Sequence, residues 1–177
     1  MAKAKKNYSP ASKMMHWLMA LVIIGLLVVG LVMENMAMGP DKFEVMDWHK
    51  SFGVVALLLL FLRIPLRLIN PVRPLPEHSK SDVIKAKVVK VLLYVLMFVM
   101  PVSGILMSQA GGHSVEMFGW TIPTLIGENE EWNQLAGATH GIASKVLIAA
   151  IVLHIAAAVF HKVVRKDDTL KRMSFRK

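Results

Sequence analysis

The sequence predicts an all-α integral membrane protein, a four-helix bundle with both termini in the cytoplasm. Two observations predict this class. Apolar residues make up 55% of the 177 residues and gather in long blocks, and basic residues cluster at the ends of those blocks. Four blocks are long enough to cross roughly 30 Å of hydrocarbon at about 1.5 Å per residue. They make a single domain, 1–177, with spans at about 14–34, 49–69, 88–108 and 135–164.

The first span is uniformly apolar. From Met14 to Met33 it has no acid, lysine or arginine, and His16 is its one titratable side chain. A basic stretch precedes it, but an apolar run of about 20 residues exceeds the core of a signal peptide, which has roughly 7–15. No small-residue cleavage site follows the run. We therefore expect this span to be retained.

The other three spans carry a few charged residues. The second ends with Arg63 and Arg67, whose long side chains can reach the lipid headgroups while the span stays in hydrocarbon. The third has Lys90 near its start, and the fourth is the longest. The spans are joined by an acidic connection at 35–48, a proline-rich basic one at 70–87 and a longer one with paired glycines at 109–134.

The charge distribution orients the bundle. Of the 21 Lys and Arg residues, 18 fall in the N-terminal tail, between Arg63 and Lys90, or after His161. Eight of the 12 acids fall in or beside the connections 35–48 and 109–134, on the opposite side. Because basic residues accumulate in cytoplasmic segments, both termini are predicted to be cytoplasmic.

Composition excludes several kinds of site. The net charge of +9 would suit nucleic acid, but the basic residues flank membrane spans, where they serve as anchors. The chain has no cysteine, which excludes disulfides, thiolate-bound metals and iron-sulfur clusters. Any cofactor must be held by histidine, methionine or oxygen ligands.

Four of the seven histidines lie within spans or at their ends. An ionisable residue there is a functional candidate, because its burial is costly without a partner. His16 lies in the first turn of span one, His49 opens span two, and His140 and His154 belong to span four. The last two are separated by about 21 Å of rise and lie within roughly 40° of one helical face. Since span four runs opposite to span one, His154 is predicted level with His16, and His140 with His49.

Two levels with two imidazoles each favour haem iron. A porphyrin takes one axial ligand on each face, whereas zinc or copper needs three or four converging ligands, and neither level has a third histidine. We therefore expect two haems with paired histidine ligands. Gly53, Gly137 and Gly141 lie near these histidines and would let a flat macrocycle approach the backbone, although small residues also tighten helix packing in lipid.

Three further residues are candidates on the cytoplasmic side. His161 lies about 20° off the face of His154 and roughly 10 Å further inward. An imidazole there could exchange a proton with a quinone, since imidazoles titrate near neutral pH, and an interfacial histidine without such a role is the alternative. Arg63 and Arg67 are candidate contacts for haem propionates or for lipid phosphate. The remaining histidines, His78 and His113, fall in connections and are expected to be solvated.

Several segments form a recognisable pattern of span openings, paired arginines and a basic end. They are Met15-His16-Trp17-Leu18, Trp48-His49-Lys50-Ser51-Phe52-Gly53, Arg63 with Arg67, His154 to His161, and Lys166-Asp167-Asp168-Thr169-Leu170-Lys171-Arg172-Met173. Over nearly the whole chain, this pattern resembles the bacterial cytochrome b561 family. The resemblance implies a di-haem b protein of the bacterial inner membrane. It also implies that His16 and His154 bind the cytoplasmic-side haem, and His49 and His140 the periplasmic-side haem.

The resemblance further implies a reaction. One family member oxidises superoxide on the outer side and passes the electrons to ubiquinone, with the position matching His161 near the quinone. This sequence departs from relatives at Lys90, where a histidine is frequent. Its outer connections are also net acidic. That field would repel superoxide unless Lys42, Lys50 or Lys145 forms a basic patch beside the outer haem.

Three functions remain open from the sequence. The first is a di-haem b electron carrier that exchanges electrons with the quinone pool, with superoxide oxidase activity as one reaction. The second is a cytochrome b anchor subunit that relays electrons for a periplasmic redox protein, which the acidic outer loops would suit if that partner is basic. The third is a haem-free transporter or scaffold, which the lack of helices broken by paired Gly and Pro disfavours.

Overall fold

The predicted all-α class is confirmed: a computed structural model, which describes residues 7–175, contains four long helices that pack as a bundle. The N-terminal lysines Lys3, Lys5 and Lys6, and the last two residues, lie outside the described residues. The helices are α1 (Pro10–Glu34), α2 (Pro40–Ile69), α3 (Lys80–Ala110) and α4 (Glu130–Phe160). A π-helical turn (His161–Arg165) continues α4, and a short 3₁₀ turn (Lys171–Met173) follows.

The helices begin earlier than the apolar pattern predicted. Residues 40–48 and 80–87, which we expected in connections, are the first turns of α2 and α3. The starts of α2 and α3 are determined by capping residues and not by hydropathy. Pro40 occupies the first turn of α2, where its missing N–H costs nothing, and Ser79 with Asp82 forms a capping box before α3. Helix ends therefore extend beyond the hydrocarbon.

The outer surface of the bundle is that of a membrane protein. Within residues 7–175, all four helices are long and apolar enough to cross a bilayer. Large apolar side chains point outward from them; Leu21 and Leu68, for example, are each 73% exposed. Such surface is stable only against lipid.

Packing between helices is closest for α3 with α4 and for α1 with α2. The core between α3 and α4 is built of Leu96, Ala143, Leu147 and Ala150. Two ends of the bundle can be distinguished. The termini side carries Ser9, the connection 70–79 and the segment 161–175, and the loop side carries the connections 35–39 and 111–129.

A small hairpin closes the loop side. Strands β1 (Glu116–Met117) and β2 (Trp120–Thr121) pair antiparallel around Phe118 and Gly119. Both turn residues have positive φ, 51° and 87°, which a tight two-residue hairpin requires and which strains a phenylalanine. Ser51 of α2 holds the hairpin, because its Oγ donates to the Glu116 carbonyl and accepts from the Phe118 N–H.

Candidate functional site

On the loop side, α2 and α4 bring two imidazoles together. The ring centroids of His49 and His140 lie 6.4 Å apart, with their planes at 73°. Both side chains are half-buried. Trp48, Phe52 and Phe118 form an exposed aromatic cluster, with ring centroids 5.4–6.2 Å apart, and Trp48 precedes His49 in the chain.

On the termini side, α1 and α4 form a second, similar pair. The ring centroids of His16 and His154 lie 6.2 Å apart at 74°. Helix α4 thus contributes one histidine at each level, as the spacing of 14 residues predicted.

The spacing within each pair matches that of two ligands on one metal. An imidazole nitrogen binds a transition metal at about 2.1 Å and the ring centroid lies about 1.1 Å further, so two rings opposed across one ion have centroids about 6.4 Å apart. Neither pair has a third His, Cys, Asp or Glu ligand among residues 7–175. Within the described chain, one cluster of three His, Cys, Asp or Glu side chains could hold an ion, and it lies elsewhere. The arrangement therefore fits the axial ligands of haem better than a tetrahedral zinc site.

His140 is held in a defined orientation. Its Nδ1 lies 2.9 Å from the carbonyl oxygen of Met100 and 3.2 Å from the Ser103 hydroxyl. A carbonyl can only accept, so Nδ1 carries the proton and donates it. The lone pair of Nε2 is therefore free to bind a metal. Metal-binding histidines commonly donate their other ring N–H to a carbonyl in this way.

Glycines make room for the loop-side rings. A Cβ on Gly104 would meet His140 Cε1 at 3.2 Å, and one on Gly30 would meet His49 Cε1 at 3.5 Å. The sequence named Gly53, Gly137 and Gly141 as positions where a macrocycle could approach the backbone, which stays a prediction. A Cβ on Gly53 or Gly141 would meet nothing within 4 Å, and one on Gly137 would meet Met107.

A cavity lies between the loop-side histidines. It contains about 500 Å³ of space free of protein atoms, its open mouth included. The lining is apolar apart from the two imidazoles, and Nδ1 of His49 is buried there without a hydrogen-bond partner in the described chain. Besides His49 and His140, the lining residues include Ile23, Leu27, Gly53, Met97, Met100 and Pro101.

Arg63 adjoins the termini-side pair. Its Nη2 donates to His16 Nδ1 at 2.9 Å, and its Nε donates to the Tyr94 hydroxyl at 3.3 Å. The third nitrogen, Nη1, is buried and has no partner among residues 7–175. The guanidinium can therefore donate a further hydrogen bond to an anionic group. Arg67 is engaged differently: it donates to the Asn70 carbonyl and lies over the Tyr8 ring.

His161 belongs to a polar cluster, here named the carboxylate cluster, with His78 and Asp167. Oδ2 of Asp167 lies 2.5 Å from His161 Nδ1 and 3.2 Å from His78 Nε2. The other carboxylate oxygen accepts the backbone N–H of Thr169 at 2.9 Å. Burial alone would raise the pKa of Asp167, but the hydrogen bonds from Thr169, His161 and His78 outweigh it and hold that pKa well below its usual range.

The sequence did not predict this cluster. His78, expected to be solvated, is only 14% exposed, and Asp167 is 5% exposed. His113 is exposed, as expected. The partners of Asp167 lie 6 and 89 residues away, and no local pattern joins them.

The C-terminal segment 166–175 is tied back under the termini side. Trp17 Nε1 donates to the Met173 carbonyl at 3.0 Å, and Lys13 Nζ donates to the Ser174 carbonyl at 2.7 Å. Arg172 donates to the Arg73 carbonyl at 2.7 Å. The segment thereby covers the end of the bundle near the carboxylate cluster.

Comparison with known proteins gives the family. A family model described as prokaryotic cytochrome b561 matches residues 7–176. The chain is 32% identical to cytochrome b561 homolog 2 of Escherichia coli strain K12, over 95% of this chain and 91% of that protein. It is 30% identical to the probable superoxide oxidase CybB of Yersinia pestis, over 95% and 96% of the two chains, and 24% identical to the Escherichia coli cytochrome b561 homolog 1, over 94% and 96%.

The match extends along essentially the whole described bundle, including all four helices. Membership implies haem b binding and electron transport, and with four membrane-crossing helices it places the protein in the bacterial inner membrane as a multi-pass protein. The chain belongs to the prokaryotic cytochrome b561 family.

Proposed function

We propose that the protein carries electrons across the membrane on two haem b groups, one held by His16 and His154 and the other by His49 and His140. The observation that carries this proposal is the repeated pair spacing, 6.2 Å and 6.4 Å between ring centroids. Each bound haem would supply an iron that takes up and releases one electron. The protein supplies the axial nitrogens, a dry surrounding and nearby charge.

The two proposed haem sites differ in which ring nitrogen of the histidine carries the proton. His140 already donates from Nδ1 to the Met100 carbonyl, so its Nε2 is ready to bind iron. At the other site, Arg63 can only donate, so His16 Nδ1 accepts and the ring proton is on Nε2. Ligation through Nε2 requires the proton on Nδ1, and Arg63 must then turn to another acceptor. A haem propionate is such an acceptor.

The termini side is proposed to face the cytoplasm and to exchange electrons with a quinone near His161. The excess of basic residues on that side supports the orientation. Since His154 lies on α4 and His161 opens the π-helical turn that continues it, a quinone at His161 would lie about two helical turns from the termini-side haem. The imidazole is a suitable proton donor for a reduced quinone.

Two electron donors are candidates on the loop side. Superoxide is supported by the likeness to a probable superoxide oxidase. A basic redox protein is supported by charge, because eight of the 12 acids lie in or beside the loop-side connections and two of the lysines there have partners of their own. Lys50 pairs with Asp47 at 2.7 Å, Lys42 donates to the Met36 carbonyl, and Lys145 is exposed on α4.

The haem sites are tested by a dithionite-reduced minus oxidised spectrum of the purified protein, with the haem content per chain. We expect two haems in the parent and about one in His49→Ala and in His154→Ala. His113→Ala, which removes an exposed histidine, is the matched control and should keep both. A parent that binds no haem after expression with ample haem would contradict the proposal.

The donor is tested by anaerobic haem reduction with a pulse of superoxide, with superoxide dismutase as the control. Reduction that dismutase abolishes, followed by ubiquinol formation, supports superoxide oxidation. If superoxide leaves the haems oxidised and a second polypeptide copurifies and reduces them, the anchor function is supported instead.

A further inference from the structure

We propose that the carboxylate cluster is a proton relay, in which His78 and Asp167 resupply His161 with protons while quinone is reduced. The inference rests on the proposed quinone site at His161 and adds two residues to it. Reduction of a quinone to a quinol consumes two electrons and two protons. The two proposed haems would deliver the electrons, and the protons need a source of their own.

The geometry of the cluster is that of a short hydrogen-bonded chain. One oxygen, Asp167 Oδ2, contacts His161 Nδ1 and His78 Nε2, at 2.5 Å and 3.2 Å. The two rings themselves lie 4.9 Å apart. Both imidazoles are mostly enclosed, with 18% of the His161 side chain and 14% of the His78 side chain exposed, and the buried Asp167 joins them by hydrogen bonds through which a proton can pass.

Each proton passes along the hydrogen-bonded cluster to the quinone. The ionised Asp167 accepts from His161 Nδ1 and from His78 Nε2 at Oδ2. A His161 ring protonated on both nitrogens gives its Nε2 proton to a quinone oxygen and stays neutral, with its other proton on Nδ1 against the carboxylate. Nε2 of His161 makes no hydrogen bond within residues 7–175 and is therefore the ring atom left for the quinone. For the second proton, the ring of His161 turns over, so that its N–H faces the quinone and its unprotonated nitrogen faces Asp167 Oδ2. A proton then passes from His78 Nε2 through Oδ2 to that nitrogen, and His78 takes a proton from cytoplasmic water.

The segments that carry the relay place it between bulk water and the membrane. His78 lies in the connection 70–79 just before the cap of α3, and His161 lies where α4 loosens into the π-helical turn. Such turns frequently mark functional sites in helices. Asp167 follows Lys166, whose positive φ of 54° turns the chain back so that the carboxylate meets both rings.

The other charged groups nearby are engaged elsewhere. Arg165 pairs with Asp82 of α3, and Lys171 pairs with Asp168. Arg172 lies over the Tyr8 ring. Among residues 7–175, the titratable side chains hydrogen-bonded to Asp167 are His78 and His161.

A structural clip is the competing role, and it has different requirements. An amide side chain in place of His78 or Asp167 would keep the C-terminal segment attached through a hydrogen bond but could not pass a proton. His78→Gln and Asp167→Asn thus separate the two roles. Asp168→Asn is the matched control, because Asp168 is the exposed neighbour and is 63% accessible.

The experiment mixes the haem-loaded, dithionite-reduced protein with either a short-chain ubiquinone or ferricyanide, without oxygen. Ferricyanide accepts electrons and needs no proton. Haem oxidation is followed by absorbance, and proton uptake by a pH-indicator dye. We expect Asp167→Asn to slow oxidation by ubiquinone on the order of tenfold to a hundredfold. Ferricyanide should react at the parent rate, and proton uptake should slow in step with the quinone reaction.

His78→Gln should show a smaller loss that added imidazole restores, and Asp168→Asn should match the parent with both acceptors. If Asp167→Asn oxidises as fast as Asp168→Asn with ubiquinone, or slows equally with ferricyanide, the relay is wrong. If the parent itself fails to react with ubiquinone while ferricyanide oxidises it, the proposed quinone function is wrong, and the relay with it.

Discussion

Gly104 of α3 lies directly against the imidazole of His140 on α4: a Cβ at this glycine would approach Cε1 and Nδ1 of the ring to 3.2 and 3.3 Å. Those separations are shorter than ordinary contacts, and the ring is fixed by its hydrogen bond to Met100. The position of a candidate haem ligand therefore depends on the absence of a side chain on a neighbouring helix.

This contact predicts that Gly104→Val removes the loop-side haem alone. The added methyl groups would push His140 out of line with His49, because an overpacked side chain must displace its neighbour. The haem content should fall from about two to about one per chain in the pyridine haemochrome assay. Gly25→Val is the control, since a Cβ at Gly25 meets nothing within 4 Å. Equal haem loss in both variants would contradict the prediction.

Arg63 should raise the midpoint potential of the termini-side haem. Its Nη2 lies 2.9 Å from His16 Nδ1, so the positive charge stays close to the proposed iron even after the guanidinium turns to a propionate, and it favours the reduced form. Arg63→Gln is expected to lower one of the two midpoint potentials on the order of 50 mV, as for a unit charge several ångströms away in a partly buried site. Redox titration measures this, and Arg67→Gln, whose side chain lies over Tyr8, should shift the potential less.

Asp167 makes the attachment of the C-terminal segment sensitive to acid. Its folded-state pKa is held below the usual range, so its contribution to stability is fully present above the unfolded value of about 3.9 and is lost as the pH falls further. The difference in Tm between the parent and Asp167→Asn should therefore persist down to about pH 4 and shrink below it. A difference that vanishes between pH 7 and pH 5 would contradict this account.

Zinc should inhibit quinone reduction at the carboxylate cluster. The ligand atoms of His78, His161 and Asp167 lie within 4.8 Å of one another, and two imidazoles with a carboxylate suit Zn²⁺. Added Zn²⁺ is expected to slow haem oxidation by ubiquinone and to leave oxidation by ferricyanide unchanged. Mg²⁺ should have no effect, because it prefers oxygen ligands. His78→Gln should be less sensitive to zinc than the parent.

The fold was largely predictable because membrane spans carry a strong local signal. Each span could be identified from the length of its apolar block alone, and the depth of the histidines followed from the helical rise per residue. The starts of α2 and α3 were missed since they depend on Pro40 and on the Ser79 cap, which act outside the hydrocarbon. The strained hairpin at Phe118 was missed too, because it is held by Ser51 from a different helix.

The candidate site was predictable only in part, for a related reason. The spacing of His140 and His154 is a property of one helix and can be read along the chain. The partners of those rings, such as Gly104, Met100 and Arg63, come from other helices, and their identity depends on the packing of the bundle. The carboxylate cluster joins segments 89 residues apart, so sequence spacing carries no sign of it.

The fold-back of segment 166–175 has a consequence for how the protein is made. Trp17 and Lys13 of α1 bond to Met173 and Ser174, which follow them in the chain by 156 and 161 residues. During synthesis the two partners therefore emerge from the ribosome far apart in time. The termini-side enclosure can close only after residue 174 has been made, whereas the loop-side pair is complete once α4 is inserted.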